Sequence, residues 1–286
     1  MSDGYVKLYA FADEAGASVS SQINAVKRNG LSGIELRGTE FGNVSDLSRE
    51  KAKELAKRFD GEGIRVWTLG SPLGKIGIND PFMPEIEKLK RTLDIAYIFG
   101  AANIRIFSFY IPHGEDPAAY GSKVINRLGE MAEVADALHT GVTLCHENEK
   151  GIYGDSAERC REILDSVPDI LGVFDPANFV QCGVNTLSAW KLLKDRIRYL
   201  HIKDALSDGR VVPAGKGIGN VAEIISEYLS DGGTAMTLEP HLTVFSGLSS
   251  LEREGERSNI SEFTYPDADS AFDAACAALK GVISEV

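Results

Sequence analysis

Eight short runs of apolar residues recur along the chain, and β-branched and aromatic side chains are frequent in them. Their apolar content is nearly continuous, which is typical of parallel strands that are buried on both faces. The runs lie at 5–11, 33–37, 64–69, 103–109, 141–147, 171–175, 198–203 and 235–239. We therefore predict eight strands in this order.

Between these runs, apolar residues recur with helical spacing, and several segments begin at a serine or end at a glycine, as capped helices do. The predicted helices cover 18–30, 48–59, 84–99, 117–139, 156–166, 186–195, 221–230 and 267–283. Eight strands that alternate with helices are the number that closes a (β/α)8 barrel. We predict one α/β domain, a single (β/α)8 TIM barrel over residues 1–286.

A doubly wound open sheet is the alternative architecture. Such a sheet commonly has a glycine-rich GxGxxG loop after its first strand. Here the first strand is followed by ADEAGAS at 12–18, which lacks that motif. The least regular segments follow predicted strands, so in a barrel they gather at the C-terminal face, where active sites are built. These segments are 70–84, 110–117, 205–220 and 240–266.

Composition narrows the classes of function. The 286 residues include 42 acidic and 30 basic side chains, a formal net charge of -12 that disfavours binding to nucleic acid. No stretch approaches 18 consecutive apolar residues, so we expect no membrane span, and the first ten residues lack the pattern of a secretory signal. The four cysteines form no CxxC pair, which favours reduced thiols in a cytoplasmic protein.

Titratable residues stand at the ends of the last four predicted strands. Glu147 ends the fifth strand, Asp175 the sixth and Glu239 the eighth, and His201 lies in the seventh. In a barrel these ends are neighbours on one rim. Buried together without a cation, the four groups would repel one another and lose their hydration. The set suits Mn²⁺, Mg²⁺, Co²⁺ or Zn²⁺, and we predict one divalent ion, with Mn²⁺ favoured.

The segments around these residues carry a resemblance to a known family. They read HEN at 146–148, FDPAN at 174–178, LHIKDA at 200–205, PAGKGIG at 213–219 and LEPH at 238–241. From Tyr5 onward, this pattern resembles the xylose isomerase-like TIM barrels, a group of sugar isomerases and epimerases. Within that group it is most similar to the D-tagatose 3-epimerases and D-psicose 3-epimerases.

The resemblance implies a role for each strand-end residue. Glu147, Asp175, His201 and Glu239 would bind one divalent metal ion, and Glu147 and Glu239 would also form the acid/base pair. The resemblance further implies a homodimer or homotetramer.

Two positions near the rim concern substrate specificity. Asn178 stands where the ketose epimerases have a histidine that contacts the substrate. Arg210 is the candidate for the arginine that those enzymes place after the seventh strand. Asn178 retains hydrogen bonding to a hydroxyl group but does not share a proton as histidine does.

The chemistry also follows from the residue types. Epimerisation beside a ketone removes a C–H proton, and a cation bound by the carbonyl and a neighbouring hydroxyl stabilises the resulting enediolate. Two carboxylates on opposite faces of a sugar can remove that proton and return one. We therefore expect a small carbohydrate substrate and a keto-sugar epimerase or isomerase. A lyase or dehydratase acting on 3-keto-glycosides or inososes is the main alternative.

Other residues near the rim are predicted to contact the sugar. Lys203 has the strand parity of His201, and Glu35 and Arg37 share one parity on the second strand. Trp67 is a candidate for stacking on the sugar, with a core position as the alternative. The full predicted set is Lys203, Asn178, His146, His241, Glu35, Arg37, Trp67 and Arg210.

An abasic-site endonuclease is a disfavoured alternative with the same fold. That class uses three zinc ions and a histidine-rich rim. The chain has five histidines in all, and the ends of its third and fourth predicted strands carry none. The negative net charge also opposes DNA binding.

Overall fold

The computed structural model describes residues 6–244 and 265–286, and eight parallel strands form its centre. These strands coincide closely with the eight apolar runs. They are β1 (Lys7–Ala10), β2 (Gly33–Leu36), β3 (Arg65–Gly70), β4 (Asn103–Ile106), β5 (Thr143–Glu147), β6 (Leu171–Phe174), β7 (Ile197–Ile202) and β8 (Ala235–Leu238).

The strands form a nearly closed barrel. Consecutive strands pair from β2 through β8, and β8 then pairs with β1 in parallel. At the remaining seam, the Ser32 N–H donates to the Leu8 carbonyl at 2.7 Å, and Ser32 Oγ accepts from the Leu8 N–H at 3.2 Å. The predicted (β/α)8 TIM barrel is thereby confirmed.

Helices separate the strands along the chain. Serine side chains cap several of them, as Ser18, Ser48 and Ser156 each accept a backbone N–H three residues ahead. The helices within the described residues are α1 (Val19–Arg28), α2 (Arg49–Gly61), α3 (Met83–Phe99), α4 (Gly121–Ala137), α5 (Ala157–Ser166), α6 (Pro176–Gln181), α7 (Thr186–Leu193), α8 (Val221–Ser230) and α9 (Ala268–Glu285).

Aromatic side chains fill part of the barrel interior. Tyr9 stacks on Trp67 with ring centroids 4.6 Å apart, and Trp67 meets the edge of Tyr199 at 5.0 Å. The Tyr199 hydroxyl donates to Glu35 Oε1 at 3.0 Å, so this aromatic layer ends where the polar residues of the rim begin. The structure thus gives Trp67 the contacts of a core aromatic, and its predicted stacking on a sugar stays a prediction.

The predicted strand at 103–109 is longer than the strand observed. β4 ends at Ile106, because the Phe107 N–H donates to the Leu73 carbonyl instead of a barrel strand. Phe109 then adopts a left-handed φ of 65°, which turns the chain away. The loops after β3, β4 and β5 are joined at Tyr110, which bridges to Gly77 and Ile152. Part of the predicted 240–266 loop lies outside the described residues.

The glycine-rich segment 213–219 wraps around a buried carboxylate. Asp204 accepts the backbone N–H groups of Gly215, Gly217 and Gly219 at 2.9–3.0 Å. A Cβ at Gly217 would lie 2.3 Å from Asp204 Oδ1, so only glycine allows this approach. The segment is therefore the turn that precedes α8.

No helix within 6–244 or 265–286 combines the length and the apolar character that crossing a lipid bilayer requires.

Candidate metal centre

The four strand-end residues meet at the C-terminal rim of the barrel. Glu147 is the last residue of β5, Asp175 follows β6 and begins α6, His201 lies in β7, and Glu239 follows β8. Each is at most 4% exposed. Each also offers one ligand atom that lies within 4.8 Å of the other three, so the predicted juxtaposition is confirmed.

His201 faces the cluster with one ring nitrogen and a supporting carboxylate with the other. Its Nδ1 lies 2.9 Å from Glu147 Oε1 and 3.8 Å from Glu239 Oε2, whereas its Nε2 lies 3.1 Å from Glu35 Oε2. Burial acts to lower the pKa of His201, but the charges of Glu147 and Glu35 outweigh it and raise the pKa to about 10. The cluster therefore attracts positive charge.

Asp175 divides its carboxylate between a helix cap and the cluster. Its Oδ1 accepts the Asn178 N–H at 2.9 Å and so caps α6. Its Oδ2 is buried and has no hydrogen-bond partner among the described residues, although Lys203 Nζ lies 3.1 Å away. Burial raises the pKa of Asp175 to about 7. A buried carboxylate oxygen that forms no hydrogen bond and lies beside an ammonium group occupies a place where positive charge is stabilising, so it is a fitting ligand for a cation.

Lys203 extends into the same cluster. Its Nζ lies 3.0 Å from Glu239 Oε2 and 3.1 Å from Asp175 Oδ2. The side chain thus points inward with His201, as expected for residues two apart on one strand. The neighbouring carboxylates raise the pKa of Lys203, although burial opposes them, so the ammonium group remains charged.

In each glutamate, one oxygen faces the cluster and the other, here called the outer oxygen, accepts a hydrogen bond from a buried arginine. Arg105, on β4, donates from Nη1 to Glu147 Oε2 at 3.0 Å, and Arg37 donates from Nη1 to Glu239 Oε1 at 3.1 Å. Burial opposes ionisation of Glu147, but the charges of His201 and Arg105 lower its pKa to about 2. Both carboxylates are therefore held in their charged form.

Arg105 and two acidic partners of Arg37 were not among the predicted site residues. These partners are Asp13 and Glu14, which lie in a single helical turn soon after β1 and accept from the guanidinium at 3.0 Å. Arg105 could have been predicted as a site residue, because it is a charged residue in the middle of an apolar strand. Asp13 and Glu14 gave no such signal, because acidic residues after a strand are common.

The balance of charge supports a cation at the rim. The clustered residues and their direct partners include six buried carboxylates, against three cationic side chains and the imidazole of His201, whose raised pKa makes it a fourth positive charge. They are Asp13, Glu14, Glu35, Glu147, Asp175, Glu239, Arg37, Arg105, Lys203 and His201. The excess of buried negative charge is costly unless a further positive charge offsets it. Three carboxylates and one imidazole are also a suitable donor set for a divalent ion.

Asn178 and His241 lie beside the cluster, as predicted for substrate contacts. Asn178 Nδ2 donates to Glu147 Oε1 at 3.3 Å. His241, with a left-handed φ of 45°, donates its N–H to Glu14 Oε2 at 2.6 Å. Its Nδ1 lies 3.2 Å from Glu14 Oε1 and 3.6 Å from Glu239 Oε1. Contact of either residue with a sugar stays a prediction.

Two other predicted substrate contacts have different surroundings. His146 Nε2 lies 2.9 Å from Ser108 Oγ, and burial lowers the pKa of His146 to about 4. Its ring packs against Gly154, where a Cβ would lie 2.4 Å from His146 Cε1. Arg210 lies in the loop between two short strands, Asp204–Ala205 and Val211–Val212, and donates to Asp208 at 2.7 Å. Their roles in substrate binding also stay predictions.

Comparisons with known proteins agree with this fold. Three crystal structures superpose over nearly the whole chain. A probable 3-DHS dehydratase, AsbF, from Bacillus anthracis is 18% identical and covers 96% of this chain and 98% of its own, with a TM-score of 0.72. D-psicose 3-epimerase from Clostridium cellulolyticum H10, solved with D-tagatose, is 16% identical over 97% and 98%, with a TM-score of 0.70.

The third structure is the IOLI protein with a bound zinc atom, which is 17% identical over 98% of both chains, with a TM-score of 0.74. No curated protein sequence matches the chain. A family model matches residues 23–253, which is most of the chain, and it describes the xylose isomerase-like TIM barrel. The protein therefore belongs to the xylose isomerase-like TIM barrel family.

Proposed function

We propose that the protein is a divalent-metal-dependent epimerase or isomerase of keto-sugars in which Glu147 and Glu239 transfer protons. The observation that carries the proposal is the pairing of these glutamates across one cluster. They come from β5 and β8, and Asp175 and His201 lie between them on the rim. The two carboxylates thus approach the centre of the cluster from different sides.

The donor set supports the metal. Glu147, Asp175, His201 and Glu239 would hold one ion, with Mn²⁺ favoured over Mg²⁺, Co²⁺ and Zn²⁺. The Oδ2 of Asp175 is the clearest single sign of this fit, because it is buried, forms no hydrogen bond among the described residues and already lies 3.1 Å from the Lys203 ammonium group. When bound, a divalent cation supplies Lewis-acid stabilisation of negative charge on the oxygens of a substrate.

The residues around the cluster support proton transfer. Removal of a proton from a carbon beside a ketone needs a base that is ionised before the substrate arrives. Arg105 and Arg37 keep Glu147 and Glu239 ionised. Each carboxylate also lies within a buried site, where a charged base is poorly screened by water. Two such bases on different sides of a substrate suit inversion at one carbon.

Lys203 favours a second candidate, a lyase or dehydratase acting on 3-keto-glycosides or inososes. Its ammonium group lies among the ligand carboxylates, 3.0 Å from Glu239 and 3.1 Å from Asp175. A charged amine in this position can donate a proton to a departing hydroxyl or alkoxide. Elimination begins with the same proton abstraction by a glutamate, so the rim supports both reactions.

Solvent exchange distinguishes the two reactions. Protein loaded with Mn²⁺ is incubated in D2O with a panel of ketoses and 3-keto sugars, and the products are examined by NMR. Epimerisation introduces deuterium at one carbon and yields a new diastereomer, whereas elimination releases water or an aglycone. Glu147→Gln and Glu239→Gln should abolish turnover, and Glu223→Gln, an exposed residue of α8, is the control. Full exchange by both active-site variants would contradict the assignment.

A further inference from the structure

We infer that Arg37 and Arg105, which both contact the ring of Phe11, are positioning residues for the two proton-transfer carboxylates. The inference rests on the proposed function, because it assigns the arginines a task in the same reaction. The sugar contact predicted for Arg37 from the sequence is a separate prediction. Each acts through the glutamate that it holds.

The two glutamates make matching contacts. Each glutamate turns one oxygen toward the centre of the cluster and the other toward an arginine. In Glu147, Oε1 faces His201 at 2.9 Å and Oε2 accepts from Arg105 at 3.0 Å. In Glu239, Oε2 faces Lys203 at 3.0 Å and Oε1 accepts from Arg37 at 3.1 Å. The same division recurs on two strands on opposite sides of Asp175 and His201.

The hydrogen-bond acceptor sites of Glu147 point to the same role. A carboxylate offers about four acceptor sites, two on each oxygen. In Glu147, His201 Nδ1 and Asn178 Nδ2 approach Oε1, and Arg105 Nη1 occupies one site on Oε2. The outer oxygen therefore keeps one acceptor site, and the arginine determines its direction. A base that is held in one orientation removes a proton faster than one that rotates.

Both guanidinium groups also contact one buried aromatic ring, that of Phe11. Arg37 Cζ lies 4.3 Å and Arg105 Cζ 5.2 Å from the centroid of Phe11, within the range of cation–π contacts. The edge of the same ring meets His201 at 5.1 Å. Gly70 makes room for it, because a Cβ there would lie 2.4 Å from Phe11 Cε1. One buried ring thus sets the place of both arginines.

The two arginines make different hydrogen bonds, so the inference predicts different effects when each is replaced by lysine. Arg37 donates to Asp13 through Nε and Nη2 at 3.0 Å each, a fork that lysine does not reproduce. Arg105 donates to Glu147 through one N–H at 3.0 Å and to the Ser71 carbonyl through Nη2 at 3.3 Å, and its Nε has no hydrogen-bond partner among the described residues, so it forms no two-pronged contact with a carboxylate. We therefore expect lysine to substitute partly for Arg105 but not for Arg37.

The first test uses metal alone and needs no substrate. The visible absorption of bound Co²⁺ is compared in the wild type, Arg37→Gln, Arg105→Gln and the control Arg65→Gln. Arg65 is exposed and is the first residue of β3, at the end of the barrel opposite the cluster. Releasing the outer oxygen lets the glutamate turn, so both active-site variants should alter the spectrum while the control keeps it. Arg105→Lys should change the spectrum less than Arg105→Gln does, whereas Arg37→Lys should change it as much as Arg37→Gln does. Unchanged spectra in both glutamine variants would overturn the inference.

The second test uses a reactive ketose pair found in the panel, such as D-fructose with D-psicose. In a two-base epimerisation each glutamate removes the proton from one of the two epimers. If one base is weakened, the other still removes the proton from its own epimer and returns a deuteron to the same face. That epimer then exchanges its proton with solvent without inversion. Arg105→Gln and Arg37→Gln should each slow epimerisation at least about 10-fold, since a positioned base contributes about 10²–10⁴-fold. Each variant should also retain deuterium exchange in one epimer, and that epimer should differ between the two variants. KM should change less than kcat in both.

The outcomes separate the two proposals. Equal loss of exchange in both epimers, together with lost metal binding, would show a general structural role and overturn the positioning inference. If no ketose exchanges but the Co²⁺ spectra change as expected, the arginines position the carboxylates and the proposed epimerase activity is wrong. The lysine variants keep the comparison decisive if a glutamine variant fails to fold.

Discussion

Glu35 provides a sharp test of how His201 is oriented. The side chain is fully buried, its Oε2 lies 3.1 Å from His201 Nε2, and its Oε1 accepts from the Tyr199 hydroxyl at 3.0 Å. A histidine that binds metal through one nitrogen commonly donates its other N–H to such a carboxylate, which fixes the ring and its tautomer. Glu35→Gln keeps the shape but removes the charge, so the imidazole becomes a weaker and less well-oriented ligand.

The expected size of the effect follows from this arrangement. Loss of a supporting partner typically costs about 10- to 100-fold in metal affinity. At a fixed excess of Mn²⁺, that loss lowers the metal-dependent gain in unfolding free energy by about 1.4–2.7 kcal/mol. Tyr199→Phe leaves the charge of Glu35 in place and removes one hydrogen bond, so its effect should be below about 10-fold.

The assay is urea unfolding with and without excess Mn²⁺, monitored by tryptophan fluorescence. We expect the difference in unfolding free energy between the two conditions to shrink in Glu35→Gln and to shrink less in Tyr199→Phe. Glu54→Gln, on the exposed surface of α2, is the control. An undiminished gain from Mn²⁺ in Glu35→Gln would refute the role assigned to this carboxylate.

Three further predictions concern the cluster, a turn and a surface contact. Asp175→Asn retains an oxygen for the α6 cap but loses the charged ligand, so calorimetry should show Mn²⁺ affinity reduced at least about 10-fold, and unchanged affinity would remove Asp175 from the ligand set. Gly217→Ala places a methyl group 2.3 Å from Asp204 Oδ1 and should lower the unfolding free energy by about 1–3 kcal/mol, whereas Lys216→Ala should change it by less than about 0.5 kcal/mol. Arg28→Ala removes a half-exposed ion pair with Asp273 at 2.8 Å and should lower the free energy of unfolding by about 0.5–1 kcal/mol. This loss should become smaller in 1 M salt, and a loss that does not depend on salt would show that the contact stabilises by packing alone.

The predicted homodimer or homotetramer is a separate proposal that rests on the family resemblance. Light scattering after size exclusion measures the mass of the assembly directly. A mass near 31 kDa, that of one chain, would contradict it.

Much of the fold was predictable because barrel strands carry a strong local signal. Each strand is buried on both faces, so its apolar run is visible in the sequence. The metal cluster was predictable for the same reason, since Glu147, Asp175 and Glu239 interrupt the apolar pattern where a strand ends. Strand parity also placed Lys203 beside His201 in advance of the structure.

The remaining features depend on contacts between distant segments. The pairing of Arg37 with Glu239 joins residues 202 positions apart, and no local pattern encodes it. The end of β4 at Ile106 is set by the Leu73 carbonyl, which captures the next N–H. Trp67 is an aromatic side chain of the kind that can stack on a sugar. Only its contacts with the rings of Tyr9 and Tyr199 show that it packs in the core.

The central claim is that one divalent cation binds between Glu147, Asp175, His201 and Glu239. Calorimetric titration of the purified, metal-free protein with Mn²⁺ tests it most directly, with His201→Gln titrated in parallel. The account predicts one ion bound per chain in the wild type and affinity reduced by at least about 10-fold in the variant. Absence of binding in the wild type, or equal binding by both proteins, would contradict it.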